Sequence, residues 1–255
     1  MTRLETMTNP LFSIITVTLN NLEGLQKTHD SLVAQNNDHY KWIVIDGGST
    51  DGTIDYLDQS YVHHISEPDH GIYDAMNKGL KQAKGNYIIF MNAGDCFANK
   101  SVLDHLQRAA EADNPDFIYG DALEITDNVA EIKKSRHHTK IKQGMFTHHQ
   151  AMIYKTDKLD GLQYNTAYKI AADYDFTLRF LKNCESVSYL PEPLCLFQSG
   201  GISQQQVFLG RKEQYIIRKE AGISPLYNIF SFTGQSAVYA LRKLCPKLYW
   251  ILKRG

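Results

Sequence analysis

Short apolar runs alternate with amphipathic stretches over the N-terminal part of the chain. The runs cover residues 12–19, 42–45 and 87–91 and are rich in β-branched side chains, which favour strands. The stretches at 22–34 and 73–83 have the apolar spacing of helices. This alternation predicts an α/β protein with a parallel sheet.

The residues that follow each apolar run are the candidates for a site, because ligands of parallel sheets bind beyond the carboxyl ends of the strands. In this chain these residues are mostly short, polar or glycine. They are Asn20, residues 46–51, residues 67–71 and residues 92–95.

Beyond residue 115 the pattern is mixed: residues 117–119 and 151–154 resemble strands, and residues 173–181 resemble a helix. Residues 224–255 form an amphipathic basic tail, in which Pro246 interrupts the pattern. Three interpretations of this tail remain open. It would bind an anionic membrane surface peripherally, pack on the protein body as a helix, or join two copies in a homo-oligomer.

The composition excludes several classes of protein. With 255 residues, 43% hydrophobic and 22% charged side chains, the chain has the make-up of a globular protein. A net charge of -1 gives no reason to expect a nucleic-acid partner, since polyanion binding normally requires a basic excess. No stretch reaches the roughly 18–20 apolar residues that span a bilayer. The four cysteines form no CxxC pair, so we expect neither a zinc site nor a disulfide framework, and a reducing cytoplasm fits best.

The first motif with candidate chemistry is Ile-Asp-Gly-Gly-Ser-Thr-Asp-Gly-Thr at residues 45–53. Its glycines permit a tight turn and a close approach of a ligand to the backbone. Asp46, at the end of a predicted strand, can accept hydrogen bonds from a nucleobase or ribose. Ser49 and Asp51 are explained equally well as caps of the next helix.

Two further motifs end predicted strands in the same way. Residues 66–79 place Asp69 and Gly71 ahead of a helix whose N-terminal N–H groups can bind phosphate. Residues 92–95 read Asn-Ala-Gly-Asp, and Asp95 can supply a hard oxygen ligand to a divalent cation. Such a cation keeps several waters when it bridges phosphates, so one or two protein oxygens suffice.

Together these motifs resemble the family 2 glycosyltransferases of the GT-A fold, in particular the colanic-acid, O-antigen and capsule enzymes of Gram-negative bacteria. The resemblance extends from Phe12 to about Ser203. Its signatures are SIITVTLNN at 13–21, IDGGSTDGT, SEPDHGIYDAMNKG, MNAGD, HHQAMIY at 148–154, AADYDFTLRF at 171–180 and SGGIS at 199–203. Several motifs in the family order make the match specific.

The resemblance implies an α/β GT-A nucleotide-diphospho-sugar transferase fold with a mostly parallel central sheet flanked by helices. It implies a glycosyltransferase domain at 1–223, with a nucleotide-binding half at about 10–115 and an acceptor half at about 116–223, before the tail at 224–255. Asp46 is expected to bind the base, Asp95 the metal and diphosphate, and Asp173 to act as catalytic base. The expected nucleotide-sugar contacts are Thr18, Asn20, Asp46, Gly48, Asp69, Gly71, Asn77, Asn92, Ala93, Gly94 and His149.

Three positions depart from the family pattern. The base-binding turn has one acid instead of two, and the DxD motif is reduced to residues 92–95 with a single carboxylate, Asp95. The affinity for Mn²⁺ or Mg²⁺ is therefore expected to be weak or shared with other groups. The usual Glu-Asp pair is Ala172-Asp173. Asp175 lies two residues later and points elsewhere on a helix, as a capping or salt-bridging residue.

The implied activity is the inverting transfer of one sugar from a UDP-, GDP- or dTDP-sugar to a hydroxyl of a saccharide or lipid-linked saccharide, by a hexosyltransferase-type enzyme. The implied pathway makes a bacterial surface polysaccharide such as capsule, lipopolysaccharide O-antigen or exopolysaccharide. The QxxRW-type motif of processive synthases is absent, so a single addition is expected. The expected location is the cytoplasm, with the tail as a peripheral contact to the inner face of the inner membrane.

Two other functions fit a nucleotide-binding fold. An NAD-dependent oxidoreductase should have GxGxxG after the first strand, where residues 19–24 read Leu-Asn-Asn-Leu-Glu-Gly, and this argues against it. A non-catalytic nucleotide-binding module stays open at this point. The role of His149 also stays open, since it fits a contact to an acceptor or phosphate as well as a structural residue.

Overall fold

Four parallel strands form one half of the central sheet, and three of them lie at the apolar runs of the sequence. In the computed structural model, which describes residues 10–60, 62–126, 129–198 and 206–245, they are β1 (Phe12–Thr18), β2 (Tyr40–Asp46), β3 (His63–Ser66) and β4 (Tyr87–Phe90). β1 lies between β2 and β4, and β3 pairs with β2 at the edge. The carboxyl ends of β1, β2 and β4 therefore meet on one side of the sheet.

The other half of the sheet is mixed. It consists of β5 (Cys96–Phe97), β6 (Phe117–Thr126), β7 (Val129–Lys133), β8 (Met152–Lys155) and β9 (Val187–Gln198). β8 lies antiparallel between β4 and β6, β9 runs parallel to β6, and β5 and β7 add antiparallel pairs. The expected α/β sheet is confirmed, with its parallel pairs concentrated in the first half and a mixed arrangement beyond β4.

Helices cover both faces of this sheet. On one face lie α1 (Leu22–Val33), α2 (Thr53–Gln59) and α4 (Val102–Asp113). On the other lie α3 (Ile72–Gln82), α5 (Ala172–Phe180) and α6 (Val207–Glu220). Successive strand residues supply the two cores in turn: Ile14 of β1 belongs to the first and Ile15 to the second. Burial on both faces explains why β1, β2 and β4 appear as continuous apolar runs.

Helix α7 (Pro225–Leu244) packs against α6 and accounts for the described part of the tail. Its buried Asn228 accepts a hydrogen bond from Nε of Arg218 and donates one to the carbonyl oxygen of Tyr215, each at 2.8 Å. Leu226 and Phe230 of the same helix are 81% and 76% exposed. One side of the tail is thus fixed on the protein body, and an apolar side faces outward.

No helix in the described ranges combines the length and apolar character that crossing a bilayer requires. The SGGIS motif at 199–203 and the end of the tail from Pro246 onward lie outside the described residues.

Candidate active site

The loops after β1 and β2 are hydrogen-bonded to each other. The backbone N–H of Asn20 donates to Oγ of Ser49 at 2.7 Å, and the Asn20 side-chain oxygen accepts from the backbone N–H of Thr50 at 2.8 Å. Asp51 accepts from the backbone N–H of Leu22 at 2.9 Å, at the start of α1. Asn20 itself has a left-handed backbone, with φ of 48°. These contacts fix the two loops as one unit at the carboxyl end of the sheet.

Asp46 is completely buried and holds the second loop from inside. Its carboxylate accepts hydrogen bonds from the backbone N–H groups of Gly48 and Ser49 at 3.0 and 2.9 Å, and from the hydroxyl of Ser66 at 2.6 Å. The hydroxyl of Ser49 is a fourth donor. The structure therefore shows Asp46 as the residue that shapes the loop, and its direct contact with a base stays a prediction.

Asp69 lies against the backbone of the same loop. A Cβ atom at Gly47 would meet its Oδ2 at 2.5 Å, so a larger residue at this position would displace the Asp69 side chain. The other oxygen of Asp69 accepts from the backbone N–H of Gly71 at 2.8 Å, at the start of α3. Gly48 and Gly71 have φ values of 90° and 115°, which glycine adopts without strain. The partly exposed Asp69 thus joins the loops after β2 and β3.

Asn77 connects α3 to the segment that precedes α5. It is 8% exposed, donates to the carbonyl oxygen of Tyr164 at 3.0 Å and accepts from the backbone N–H of Tyr164 at 2.8 Å. Its amide is thereby paired on both sides, which explains the residue structurally. Contact of Asn77 with a nucleotide sugar stays a prediction.

Thr18, at the end of β1, is also buried, and its hydroxyl has no hydrogen-bond partner among the described residues. A buried hydroxyl normally has a partner. Thr18 therefore fits a polar contact to a ligand at the end of the strand.

The loop after β4 brings Asn92 and Asp95 together. Asp95 accepts from the backbone N–H of Asn92 at 3.1 Å and from Nε2 of Gln150 at 2.8 Å. Gly94 donates to the carbonyl oxygen of Gly24 at 2.9 Å, and the carbonyl oxygen of Ala93 accepts from the side chain of Asn21 at 3.1 Å. The loop is thus held against the start of α1, beside the loop after β1.

The oxygens of this loop fit a hard divalent cation. The side-chain oxygen of Asn92 is buried and has no partner within the described ranges. Burial raises the pKa of Asp95 to about 6. A bound cation would lower this pKa, because it favours the charged carboxylate. No cluster of three or more His, Cys, Asp or Glu side chains suited to a metal exists in the described chain. Asp95 and Asn92 are therefore the residues of this loop that could offer oxygen ligands to such a cation, and metal binding here stays a prediction.

Asp173 lies in the first turn of α5 and lines a cavity of about 630 Å³. Its carboxylate accepts a hydrogen bond from the backbone N–H of Tyr174 at 2.7 Å. Burial raises its pKa to about 6, and the negative charge of Glu213 adds a smaller contribution in the same direction. The group is mostly ionised at pH 7 and more basic than an ordinary aspartate, as suits a general base.

Asp175 points away from this cavity, as expected from its position two residues later. Two nitrogens of Arg179, Nε and Nη2, donate to its Oδ2 at 2.9 and 2.6 Å. The predicted salt-bridging role of Asp175 is confirmed.

His149 lines the same cavity as Asp173 but is packed in the core. Its ring stacks on Phe90 at a centroid distance of 5.0 Å and shares a hydrogen bond of 2.8 Å with the hydroxyl of Tyr164. Burial lowers its pKa to about 4, so the imidazole is neutral at pH 7. His149 can offer a hydrogen bond to a ligand there, but no positive charge.

Several residues of this region give no clear signal in the sequence. Gln150 belongs to the HHQAMIY motif, but only the fold places it on Asp95. Glu213 lies on α6 and accepts hydrogen bonds from three backbone N–H groups that precede Asp173. Lys133, Lys134 and Arg136 of a basic run, and Arg211 from α6, line the cavity beside Asp173. The run is visible in the sequence, whereas nothing local identifies Glu213 or Arg211.

Comparison with known proteins shows similarity to glycosyltransferases. The family described as Glycosyl transferase family 2 matches residues 13–175. An uncharacterized glycosyltransferase of Mycobacterium tuberculosis is 31% identical over 211 residues, covering 77% of this chain and 78% of that protein. A PGL/p-HBAD biosynthesis glycosyltransferase of Mycobacterium bovis is 30% identical over 189 residues, covering 69% of this chain and 72% of that protein.

Two solved structures share the fold. S. aureus TarS 1-349 in complex with UDP has a TM-score of 0.66 at 19% identity, over 87% of this chain and 69% of that one. The mannosyltransferase PcManGT from Pyrobaculum calidifontis, in complex with GDP-Man and Mn²⁺, has a TM-score of 0.63 at 15% identity, over 96% and 79%. The fold is thus the GT-A fold that the resemblance implies.

Proposed function

Because the chain belongs to glycosyl transferase family 2, we propose that it transfers one sugar from a nucleoside diphosphate sugar to an acceptor hydroxyl, with inversion at the anomeric carbon. The observation that carries this proposal is Asp173. Its carboxylate lines a cavity large enough for a saccharide, at the start of a helix, with a pKa of about 6. A base of this strength is matched to proton transfer near neutral pH.

The reaction is a single displacement. Asp173 accepts the proton of the acceptor hydroxyl while the acceptor oxygen forms a bond to the anomeric carbon of the donor. The bond between that carbon and the diphosphate oxygen breaks at the same time, and the nucleoside diphosphate leaves with the bonding electrons. His149 lines the same cavity and can form a hydrogen bond with a ligand there. Because its ring is neutral, it does not form an ion pair with the carboxylate of Asp173.

The donor binds at the carboxyl ends of β1, β2 and β4. Asn20, Asp46 and Gly48 form the connected loops that face the nucleoside, and Asp69 and Gly71 extend this surface at the start of α3. A divalent cation, Mn²⁺ or Mg²⁺, held by Asp95 and Asn92 would neutralise negative charge on the diphosphate. The complexes of TarS with UDP and of PcManGT with GDP-Man support a nucleotide-sugar donor, and UDP, GDP and dTDP all remain candidates as its carrier.

The acceptor is a saccharide or lipid-linked saccharide of a bacterial surface polysaccharide, such as capsule, O-antigen or exopolysaccharide. The relative named as a PGL/p-HBAD biosynthesis glycosyltransferase supports a biosynthetic role for this chain. Residues 1–223 would form the catalytic unit, acting in the cytoplasm. The exposed apolar side of α7 would place it peripherally on the inner face of the membrane.

A panel of nucleotide sugars tests the donor proposal. The melting temperature should rise with one carrier class, more so with Mn²⁺ present, because a ligand at about 100 times its Kd stabilises the fold by roughly 2.7 kcal/mol. A donor that binds should also be used for transfer to a saccharide acceptor, or be slowly hydrolysed. Both activities should be lost in the Asp173→Asn variant. Binding without turnover for every donor and acceptor would instead identify a non-catalytic nucleotide-binding module.

A further inference from the structure

We propose that the cavity beside Asp173 binds an acceptor with an anionic group, a phosphate or a carboxylate, which Lys134, Arg136 and Arg211 recognise. This inference rests on the proposed function, because it assumes that Asp173 takes the proton of an acceptor hydroxyl. We call the space the basic cavity. It lies between the segment that follows β7, the start of α5, and helices α6 and α7.

The charges that line the basic cavity are unbalanced. Four cationic side chains face it, those of Lys133, Lys134, Arg136 and Arg211, and the carboxylate of Asp173 is the acidic group among its lining residues. Lys133 is neutralised by Glu124, whose carboxylate lies 2.6 Å from its Nζ. The other three cations have no ion pair with a carboxylate anywhere in the described part of the chain. Unpaired cations in a concave surface attract anions more strongly than the same charges on a flat one.

Arg136 is held in place without losing its capacity to bind an anion. Its guanidinium donates to the side-chain oxygen of Gln143 at 3.1 Å and to the carbonyl oxygen of Met145 at 2.8 Å. These acceptors are neutral, so the positive charge is oriented but not compensated. A guanidinium has five N–H donors, and some therefore remain for a ligand.

Arg211 reaches the basic cavity from α6. Its guanidinium carbon lies over the ring of Tyr239 on α7, 4.9 Å from the centroid. Contact with an aromatic face fixes the guanidinium and leaves its N–H groups free to bind a phosphate or carboxylate oxygen. Lys134 and Arg136 from the segment after β7, and Arg211 from α6, thus line the same space.

The position of the basic cavity assigns the anion to the acceptor. Asp173 and His149 line it, but none of the loops at residues 18–21, 46–52, 67–71 and 92–95 does so. The donor diphosphate belongs to those loops, so it does not explain the cations here. The volume of about 630 Å³ has room for a sugar unit at Asp173 and an anionic group beyond it. A sugar linked through phosphate to a carrier and an acidic saccharide both have this chemistry.

The test uses the full-length enzyme with its nucleotide site saturated by UDP and without added metal, so that anions bind only elsewhere. Inorganic pyrophosphate, methyl glucuronide and neutral methyl glucoside are titrated by calorimetry. We expect at least one of the anions to bind at least tenfold more tightly than the glucoside. Binding of pyrophosphate indicates a phosphate-linked acceptor, and binding of the glucuronide indicates an acidic saccharide.

The double variant Arg136→Gln/Arg211→Gln should weaken the binding of that anion at least tenfold and leave the Kd of UDP unchanged. Arg108→Gln, on the exposed side of α4, is the matched control and should change neither value. The proposal is overturned if neither anion binds, if the double variant binds them like the wild type, or if it loses UDP affinity by the same factor. Because these measurements need no turnover, a failure of the transferase activity itself would appear separately, in the donor and acceptor panel.

Discussion

Glu213 on α6 holds the backbone from which Asp173 projects, although the two residues are forty positions apart in the sequence. Its carboxylate accepts hydrogen bonds from the backbone N–H groups of Lys169, Ile170 and Ala171 at 2.8, 2.9 and 2.9 Å. Ala171 is the N-cap residue of α5 and has no side chain that could satisfy these donors. A distant carboxylate thus replaces the local cap and places a negative charge near Asp173, the proposed catalytic base.

Asp173→Asn should lower kcat by about 10²- to 10⁴-fold with the donor Kd nearly unchanged, since the loss falls on proton transfer. Asparagine keeps the size of the side chain and an oxygen for the N–H of Tyr174. Because burial raises the pKa from its ordinary range to about 6, the stabilisation from this group is present below pH 4 and lost as the pH rises through 6. At pH 7 the variant should therefore melt no lower than the wild type. Normal kcat with a lower melting temperature would make Asp173 a helix-capping residue only.

Glu213→Gln should move the acidic limb of the kcat profile, expected near pH 6 in the wild type, to lower pH. The nearby negative charge of Glu213 helps to raise the pKa of Asp173, so removing that charge lowers this pKa. The variant should also lose about 1–3 kcal/mol of stability, because an amide cannot satisfy all three N–H donors. Glu220→Gln, on the same helix and bonded to the hydroxyl of Tyr168, is the control and should leave the limb in place. A purely structural Glu213 would reduce the active fraction without shifting the profile.

Asp95→Ala should weaken Mn²⁺-dependent binding of the nucleotide sugar and lower turnover at least tenfold. The cation would lose its identified carboxylate, and even partners outside the ligand shell change metal affinity by about 10- to 100-fold. Binding of the free nucleoside, which needs no metal, should be much less affected. Asp113→Ala, exposed at the end of α4, is the control. If the Asp95 variant turns over normally with Mn²⁺, another residue holds the metal.

Asp46→Ala should raise the KM for the donor and also lower the melting temperature. Four donors would lose their acceptor, and the two from Ser49 are buried, where each unsatisfied group costs about 1–3 kcal/mol. Asp46→Asn should also raise the KM and lower the melting temperature, because its N–H₂ group would face N–H and O–H donors. Asp55→Asn on the exposed side of α2 serves as the control. Unchanged stability and KM in both Asp46 variants would contradict the role of this carboxylate.

The double variant Leu226→Glu/Phe230→Glu should reduce co-sedimentation with anionic liposomes severalfold and leave turnover of a water-soluble acceptor unchanged. Both side chains are exposed on α7, and negative charges there oppose burial in the lipid interface as well as attraction to it. Point substitutions are preferable to removal of the tail, because Asn228 of α7 packs on Arg218. Gln59→Glu on α2 controls for the added charge. Unchanged sedimentation would leave body packing or contact between copies as the role of the tail.

The sequence determined the first half of the fold almost to the residue. The apolar run at 12–19 became β1 (Phe12–Thr18), and the stretch at 73–83 became α3 (Ile72–Gln82). Burial on both faces of a strand, or on one face of a helix, is a local periodicity that the chain displays directly. After residue 115 the same method predicted residues 117–119 as a strand, whereas β6 extends over Phe117–Thr126. Its second part exists because β7 and β9 pair with it, and this depends on distant segments.

For the site, the sequence determined which short polar residues follow the strands, and the resemblance assigned roles to Asp46, Asp95 and Asp173. Only the tertiary structure decided what each carboxylate contacts. Asp46 is enclosed by hydroxyl and N–H donors that include Ser66, Asp95 meets Gln150, and Asp173 faces a cavity assembled from segments of five different regions. The periodicity of a chain reports which residues are buried. Hydrogen bonding and desolvation depend on what folding brings within a few ångströms, so the charge, pKa and accessibility of these side chains were decided by the fold.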